Sequence, residues 1–174
     1  MFRTSELVAF AVIAAAGAIA AVIDVRTRRV PNRLTFTTAI CGLVLAALGA
    51  TPVGIGAAVV SVLLALALML PAHVIGATGA GDVKLFAALA TLLGPAGTAS
   101  AFLYGAVAGG VLALAAAAHR RRAGRTLART VALITTRGSV ARTIEADVHN
   151  RFAYAPAIVA GALAAALWPL RLIG

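Results

Sequence analysis

The sequence predicts an all-α, polytopic integral membrane protein with six transmembrane helices. Of its 174 residues, 62% are hydrophobic and 11% are charged, roughly half the charged fraction of a soluble domain. The mean hydropathy of the chain is +1.02. The charged residues stand mainly in gaps between apolar runs that are long enough to cross a bilayer as helices. These observations exclude a water-soluble globule.

Six apolar segments reach or approach the roughly 17 to 25 residues that a membrane-crossing helix needs. Within residues 83–118 the only charged residue is Lys84, and this run is too long for one crossing. We divide it at residues 94–97, which read GPAG, because Gly and Pro interrupt helices. The predicted spans of this single membrane domain are residues 7–23, 34–50, 53–70, 83–93, 98–118 and 153–172.

The first span shares some features with a cleavable signal peptide. Arg3 precedes the apolar run, and small residues surround Ala18 and Ala20. Four arginines follow directly within residues 26–33, as in a stop-transfer sequence, and they favour a retained helix.

The distribution of basic residues predicts how the chain is oriented. Lys and Arg accumulate in cytoplasmic loops. Thirteen of the fifteen basic residues follow span 1, precede span 4 or follow span 5, and only Arg3 and Arg171 lie on the other side. Both termini are therefore expected outside, with a cytoplasmic loop at about residues 119–151. The basic segments are explained by their role in orienting the helices and by attraction to anionic membrane lipids. Nucleic acid is therefore not expected as a partner.

Two of the five acidic residues, Asp24 and Asp82, fall at span boundaries on the same predicted face. An acidic residue near hydrocarbon costs about 2.5 to 3.5 kcal/mol on insertion scales, so each needs a reason. Span 4 has eleven residues and covers only about 16 Å, little more than half of the hydrocarbon core. Asp82 is therefore expected below the headgroups in a protein-lined pocket, where it can meet Asp24.

Structural and functional explanations of the two carboxylates are both open at this point. Asp82 can cap the helix of span 4, and Asp24 can pair with Arg26 or Arg28. Alternatively, the two can catalyse hydrolysis together, or carry protons or cations in a membrane transporter. A transporter predicts acids in mid-span and a repeat between two halves, and the sequence has neither feature.

The residues around both aspartates match a known pattern. Residues 79–82 read GAGD at a span entry, Asp24 is followed by Pro31 and Asn32, and residues 152–157 read FAYAPA. With the six-span layout, the chain resembles the type 4 prepilin peptidases, which are GxGD intramembrane aspartic proteases, over nearly its whole length. The short form is most similar to members that serve Flp-type, tight-adherence pili.

The resemblance implies that Asp24 and Asp82 are the catalytic aspartates of a leader peptidase. It also implies a prepilin substrate with a short basic leader and an apolar helix, cut at the cytoplasmic face of the bacterial plasma membrane. Hydrolysis by two carboxylates needs one ionised and one protonated. Helix dipoles favour Asp82 as the base and Asp24 as the protonated partner, although nearby arginines pull the other way.

Five further residues support the motif, each with a structural alternative. Gly79 and Gly81 allow positive φ and close approach of a substrate backbone, or form a flexible connector. Lys84 neutralises a charge of the pair or, as we favour, snorkels to the interface. Pro31 and Asn32 end the loop and cap span 2.

The chain also departs from its longer relatives. These have an extra cytoplasmic segment with paired cysteines and methylate the new pilin N-terminus, whereas this chain has Cys41 alone. N-methyltransferase activity is therefore not expected. The three histidines, His73, His119 and His149, share no ligand spacing, so neither a metal site nor another cofactor is expected.

Overall fold

The computed structural model describes residues 3–119 and 154–168, and the residues in these two ranges form helices joined by short connections, with no β-strand. Most of the predicted loop at 119–151 and the end of the sixth predicted span lie outside the described residues. The five helices are α1 (Thr4–Thr27), α2 (Asn32–Ala47), α3 (Ile55–Val74), α4 (Ala80–His119) and α5 (Ala155–Leu167).

Helix α4 folds back on itself at Gly94. This residue has φ 71° and ψ 171°, a backbone conformation that favours glycine, and Pro95 follows it. The rings of Phe86 and Phe102 lie 6.2 Å apart between their centroids, whereas sixteen residues of straight helix would separate them by about 24 Å. The interruption thus falls inside the turn predicted at residues 94–97, and one residue is enough to make it.

Three of the described helical stretches are long and apolar enough, by length and composition, to cross a membrane, counting α4 as one stretch despite its interruption at Gly94. They are Thr4–Thr27, Ile55–Val74 and Ala80–Ala115, with mean hydropathies of 2.4, 2.5 and 1.6. Large apolar side chains on their outer faces, such as those of Leu63 and Val107, are exposed. An exposed apolar surface of this kind fits a protein whose surroundings are lipid chains. The described residues are therefore all helical, and their apolar outer surface is consistent with a membrane protein.

Small residues at the helix interfaces allow close contact between backbones. A Cβ atom added to Gly161 of α5 would lie 2.5 Å from the carbonyl oxygen of Ala101 in α4. A Cβ atom on Gly17 of α1 would lie 2.6 Å from the side chain of Val159 in α5. Glycine and alanine thus bring α5 against both α1 and α4, as small residues do between membrane helices. This packing decides where the N-terminus of α5 lies.

Candidate active site

Asp24 lies in the last turn of α1 and is 5% exposed. The helix runs four residues beyond the predicted end of span 1 and is closed at Arg28, whose φ is 53° and whose N–H donates to the Asp24 carbonyl at 2.7 Å. The span predicted from hydropathy ended before the first charged residue, Asp24, but the helical backbone hydrogen bonds continue past this residue. As a result, the Asp24 side chain leaves from a complete helical turn and points into protein.

The Asp24 carboxylate is held by the N-terminus of another helix. Its Oδ2 accepts a buried hydrogen bond of 3.1 Å from the backbone N–H of Ala155, which is 131 positions later in the sequence. Ala155 is the first residue of α5, where backbone N–H groups have no partner within the helix. The amide therefore satisfies an otherwise costly buried carboxylate.

Asp82 lies inside the first turn of α4, and not before the helix as the capping alternative had it. Gly79 is the N-cap residue, because its carbonyl accepts hydrogen bonds from the N–H groups of Asp82 and Val83. The Oδ2 of Asp82 in turn accepts the Gly79 N–H at 3.1 Å, which is the reverse half of a capping box. Asp82 therefore does help to cap α4, from a position within the first turn.

The glycine strip, Gly79 and Gly81 at the start of α4, contacts the connection between α1 and α2 through Gly81. A Cβ atom on Gly81 would lie 3.3 Å from the Cβ of Val30 and 3.5 Å from its backbone nitrogen. Neither Gly79 nor Gly81 has a positive φ, so the conformational freedom of glycine in that region is not used here. Because Gly81 has no side chain, the backbone at residues 79–82 can approach the backbone at Val30 closely. This contact brings together the two parts of the sequence motif.

Lys84 and Asn32 make a second link between these segments. The Nζ of Lys84 donates to Oδ1 of Asn32 at 3.0 Å on the exposed surface. Pro31 is the N-cap residue of α2, and no side chain caps that helix. The cap predicted at Pro31 and Asn32 thus falls on Pro31, through its carbonyl, whereas Asn32 is the first residue within the helix and its amide oxygen is bonded to Lys84.

Tyr154 is the N-cap residue of α5. Its carbonyl accepts the N–H groups of Ala157 and Ile158, so it caps the helix through its backbone. The Asp82 carboxylate contributes, after burial, to the electrostatic environment of the Tyr154 phenol. The start of α5 thus holds Asp24 by a hydrogen bond and senses the charge of Asp82.

Tyr154 and Ala155 belong to the FAYAPA stretch noted in the sequence, but the sequence assigned neither of them a contact with an aspartate. One signal was available: span 6 was predicted to begin near residue 153 on the face that carries both aspartates. Which amide of that turn meets a carboxylate is invisible in the sequence, since every residue there except Pro156 has the same backbone donor.

The described residues give little support for a bound metal. Within residues 3–119 and 154–168, no three His, Cys, Asp or Glu residues lie together as a ligand set. His73 is engaged by the backbone, with Nδ1 at 3.0 Å from the carbonyl oxygen of Thr78, and Cys41 lies half-buried in α2. His149 lies outside the described residues.

Comparison with known proteins gives a family match. The model of the type IV leader peptidase family matches residues 11–114, which is more than half of the chain. No curated protein and no solved structure matches the chain significantly. The matched range contains Asp24, Asp82 and the glycine strip, and it ends before α5.

Proposed function

Because the chain belongs to the type IV leader peptidase family, we propose that it is a membrane-embedded aspartic endopeptidase that removes the leader of type IV, Flp-like prepilins. The observation that supports an aspartic mechanism is the contact between the chain segments that carry the two carboxylates. Gly81, next to Asp82, packs against Val30 of the connection that follows Asp24, and Lys84 bonds to Asn32 of the same region.

In the proposed reaction the two carboxylates share one proton. The ionised carboxylate takes a proton from a water molecule while the oxygen of that water attacks the scissile carbonyl carbon. The protonated carboxyl group donates a hydrogen bond to the carbonyl oxygen. The tetrahedral intermediate then collapses with cleavage of the C–N bond, and a carboxyl proton moves to the leaving amine. The products are a leader with a new carboxylate and a pilin with a free amine.

Both aspartates have features that suit an anion. Asp82 stands in the first turn of α4 and accepts the Gly79 N–H, and Asp24 faces the N-terminus of α5. The preference for Asp82 as base rested on the dipoles of α1 and α4 alone. The Ala155 amide gives Asp24 a comparable donor, so we assign the shared proton to the pair and not to either residue.

The basic residues support a cytoplasmic location for this end of the bundle. Arg26, Arg28, Arg29 and Arg33 are exposed around the end of α1 and the start of α2, and Lys84 lies beside them at the start of α4. Such a cationic end faces the cytoplasm and anionic headgroups of the plasma membrane. A substrate whose apolar helix lies in the same bilayer has the junction between its leader and this helix at the depth of the cationic end of the bundle.

The test is cleavage of a purified Flp-type prepilin by Asp24→Asn and Asp82→Asn variants. Each should lose about two to four orders of magnitude in rate, the usual contribution of a general acid or base. Asn keeps the side-chain shape, and its oxygen can still accept the Gly79 or Ala155 N–H. The loss would therefore report proton transfer and not folding.

A matched control is Glu6→Gln at the opposite end of α1. Glu6 accepts the Arg3 N–H at 2.9 Å, and Gln can do the same, so cleavage should be unchanged. Wild-type rates in either Asn variant would remove that aspartate from the mechanism.

A further inference from the structure

The position of the Asp24 carboxylate depends on where α5 begins. Ala155, whose N–H holds this carboxylate, is completely buried. Its amide is one of the first donors of α5 and cannot move without moving the helix start.

The ring of Tyr154 fits against two glycines one turn apart in α4. A Cβ atom on Gly109 would overlap the Tyr154 ring, with the ring carbon Cζ only 3.0 Å away. One turn earlier, the Tyr154 hydroxyl donates to the carbonyl oxygen of Gly105 at 3.5 Å. Residues four apart lie on one helix face, so this face of α4 meets the Tyr154 ring at Gly109 and its hydroxyl at Gly105.

We propose that Tyr154 and Ala155 position the catalytic Asp24, an inference that rests on the proposed function and names its supporting residues. The Tyr154 side chain, with its ring on Gly109 and its hydroxyl bonded to Gly105, sets the start of α5. The Ala155 N–H then orients one carboxylate oxygen of Asp24, which leaves the other oxygen for water or substrate. Neither residue exchanges a proton, and their effect on rate is exerted through the carboxylate.

Gly109→Ala and Gly110→Ala form a matched pair that tests this coupling. Both replace a glycine in the same turn of α4, so their effects on helix propensity are similar. The Cβ at position 109 would push the Tyr154 ring, whereas a Cβ at position 110 meets nothing within 4 Å. Gly109→Ala should lower kcat about 10- to 100-fold with little change in KM, because small displacements of catalytic groups have effects of that size. Gly110→Ala should change neither constant.

A nuclear magnetic resonance signal reports the Ala155 amide directly. The two tyrosines are followed by Gly105 and Ala155, so labelling Tyr with ¹³C at the carbonyl and Ala with ¹⁵N selects the Ala155 amide alone. A hydrogen bond to an anionic acceptor is stronger than one to a neutral acceptor. The Ala155 proton should therefore move upfield in Asp24→Asn, shift in Gly109→Ala and stay in place in Gly110→Ala.

Two results would overturn the positioning role in an active protein. One is an Ala155 signal unchanged by Asp24→Asn, and the other is a shifted signal in Gly109→Ala with wild-type kcat. If Gly109→Ala does not fold, Tyr154→Ala replaces it, since removal of the ring should lower kcat and Tyr154→Phe should restore most of the loss. Equal rates for Tyr154→Ala and wild type would also refute the role. A wild-type chain that cuts no prepilin while its Ala155 signal responds to Asp24→Asn would instead refute the proposed function.

Discussion

Replacing Gly161 by alanine should separate α5 from α4. An added Cβ would lie 2.5 Å from the Ala101 carbonyl oxygen, 2.5 Å from the Gly105 nitrogen and 2.7 Å from the Gly105 Cα. Ordinary van der Waals contact begins at 3.4 Å, so the helices must move apart by about 1 Å. All three obstacles are backbone atoms of α4, and no side chain can rotate to make room.

The expected destabilisation follows from two opposing effects. Overpacking costs typically about 1 to 3 kcal/mol, and a backbone obstacle favours the upper end. Replacing glycine by alanine within a helix offsets about 1 kcal/mol of this. Gly161→Ala should therefore be about 2 kcal/mol less stable than wild type, while Gly110→Ala, which meets no atom within 4 Å, should be up to about 1 kcal/mol more stable.

Thermal unfolding of the two variants in one detergent measures this difference. A gap of about 3 kcal/mol corresponds to a difference in Tm of roughly 6 to 12 °C for a chain of this length. Because α5 carries the Ala155 amide, Gly161→Ala should also lower the cleavage rate by about tenfold or more. If Gly161→Ala melts at or above the temperature of Gly110→Ala, the close contact between the α4 and α5 backbones is refuted.

Three further predictions concern topology, chemistry and a buried hydroxyl. In a Cys41→Ser background, cysteines at the exposed positions Thr27 and Gly54 should react with impermeant reagents from the cytoplasmic and the outer side, respectively; reversed labelling would contradict the orientation. The purified chain should cleave prepilin without zinc, and mass spectrometry should show an unmethylated pilin amine even when a methyl donor is present. An N-methyl group, or activity that a chelator removes and zinc restores, would contradict the expectation for the short form. Thr78→Val should raise stability by about 1 kcal/mol in thermal unfolding, since the Thr78 hydroxyl is buried without a hydrogen-bond partner among the described residues; a lower Tm would show that the hydroxyl is satisfied.

Local features of the chain were readable from its sequence. Apolar run length and the Gly-Pro step at residues 94–95 are properties of neighbouring residues, so they predicted the helical class and the interruption of α4. Asp24 and Asp82 stood out as candidates because charges are rare beside apolar runs. The helix ends were less accurate, since α1 continues to Thr27. Backbone hydrogen bonds extend past the first charged residue, and hydropathy does not register them.

Only the tertiary structure decided which groups meet. The contact between Asp24 and Ala155 spans 131 positions, and Lys84 bonds to Asn32 across 52. A backbone N–H has the same chemistry at almost every residue, so a sequence carries no mark of the amide that a distant carboxylate will reach. That choice depends on how closely helices approach, and here glycines such as Gly161 and Gly109 set the approach of α5 to α4. The sequence by itself identified the two carboxylates as candidates, and helix packing decided which groups surround them.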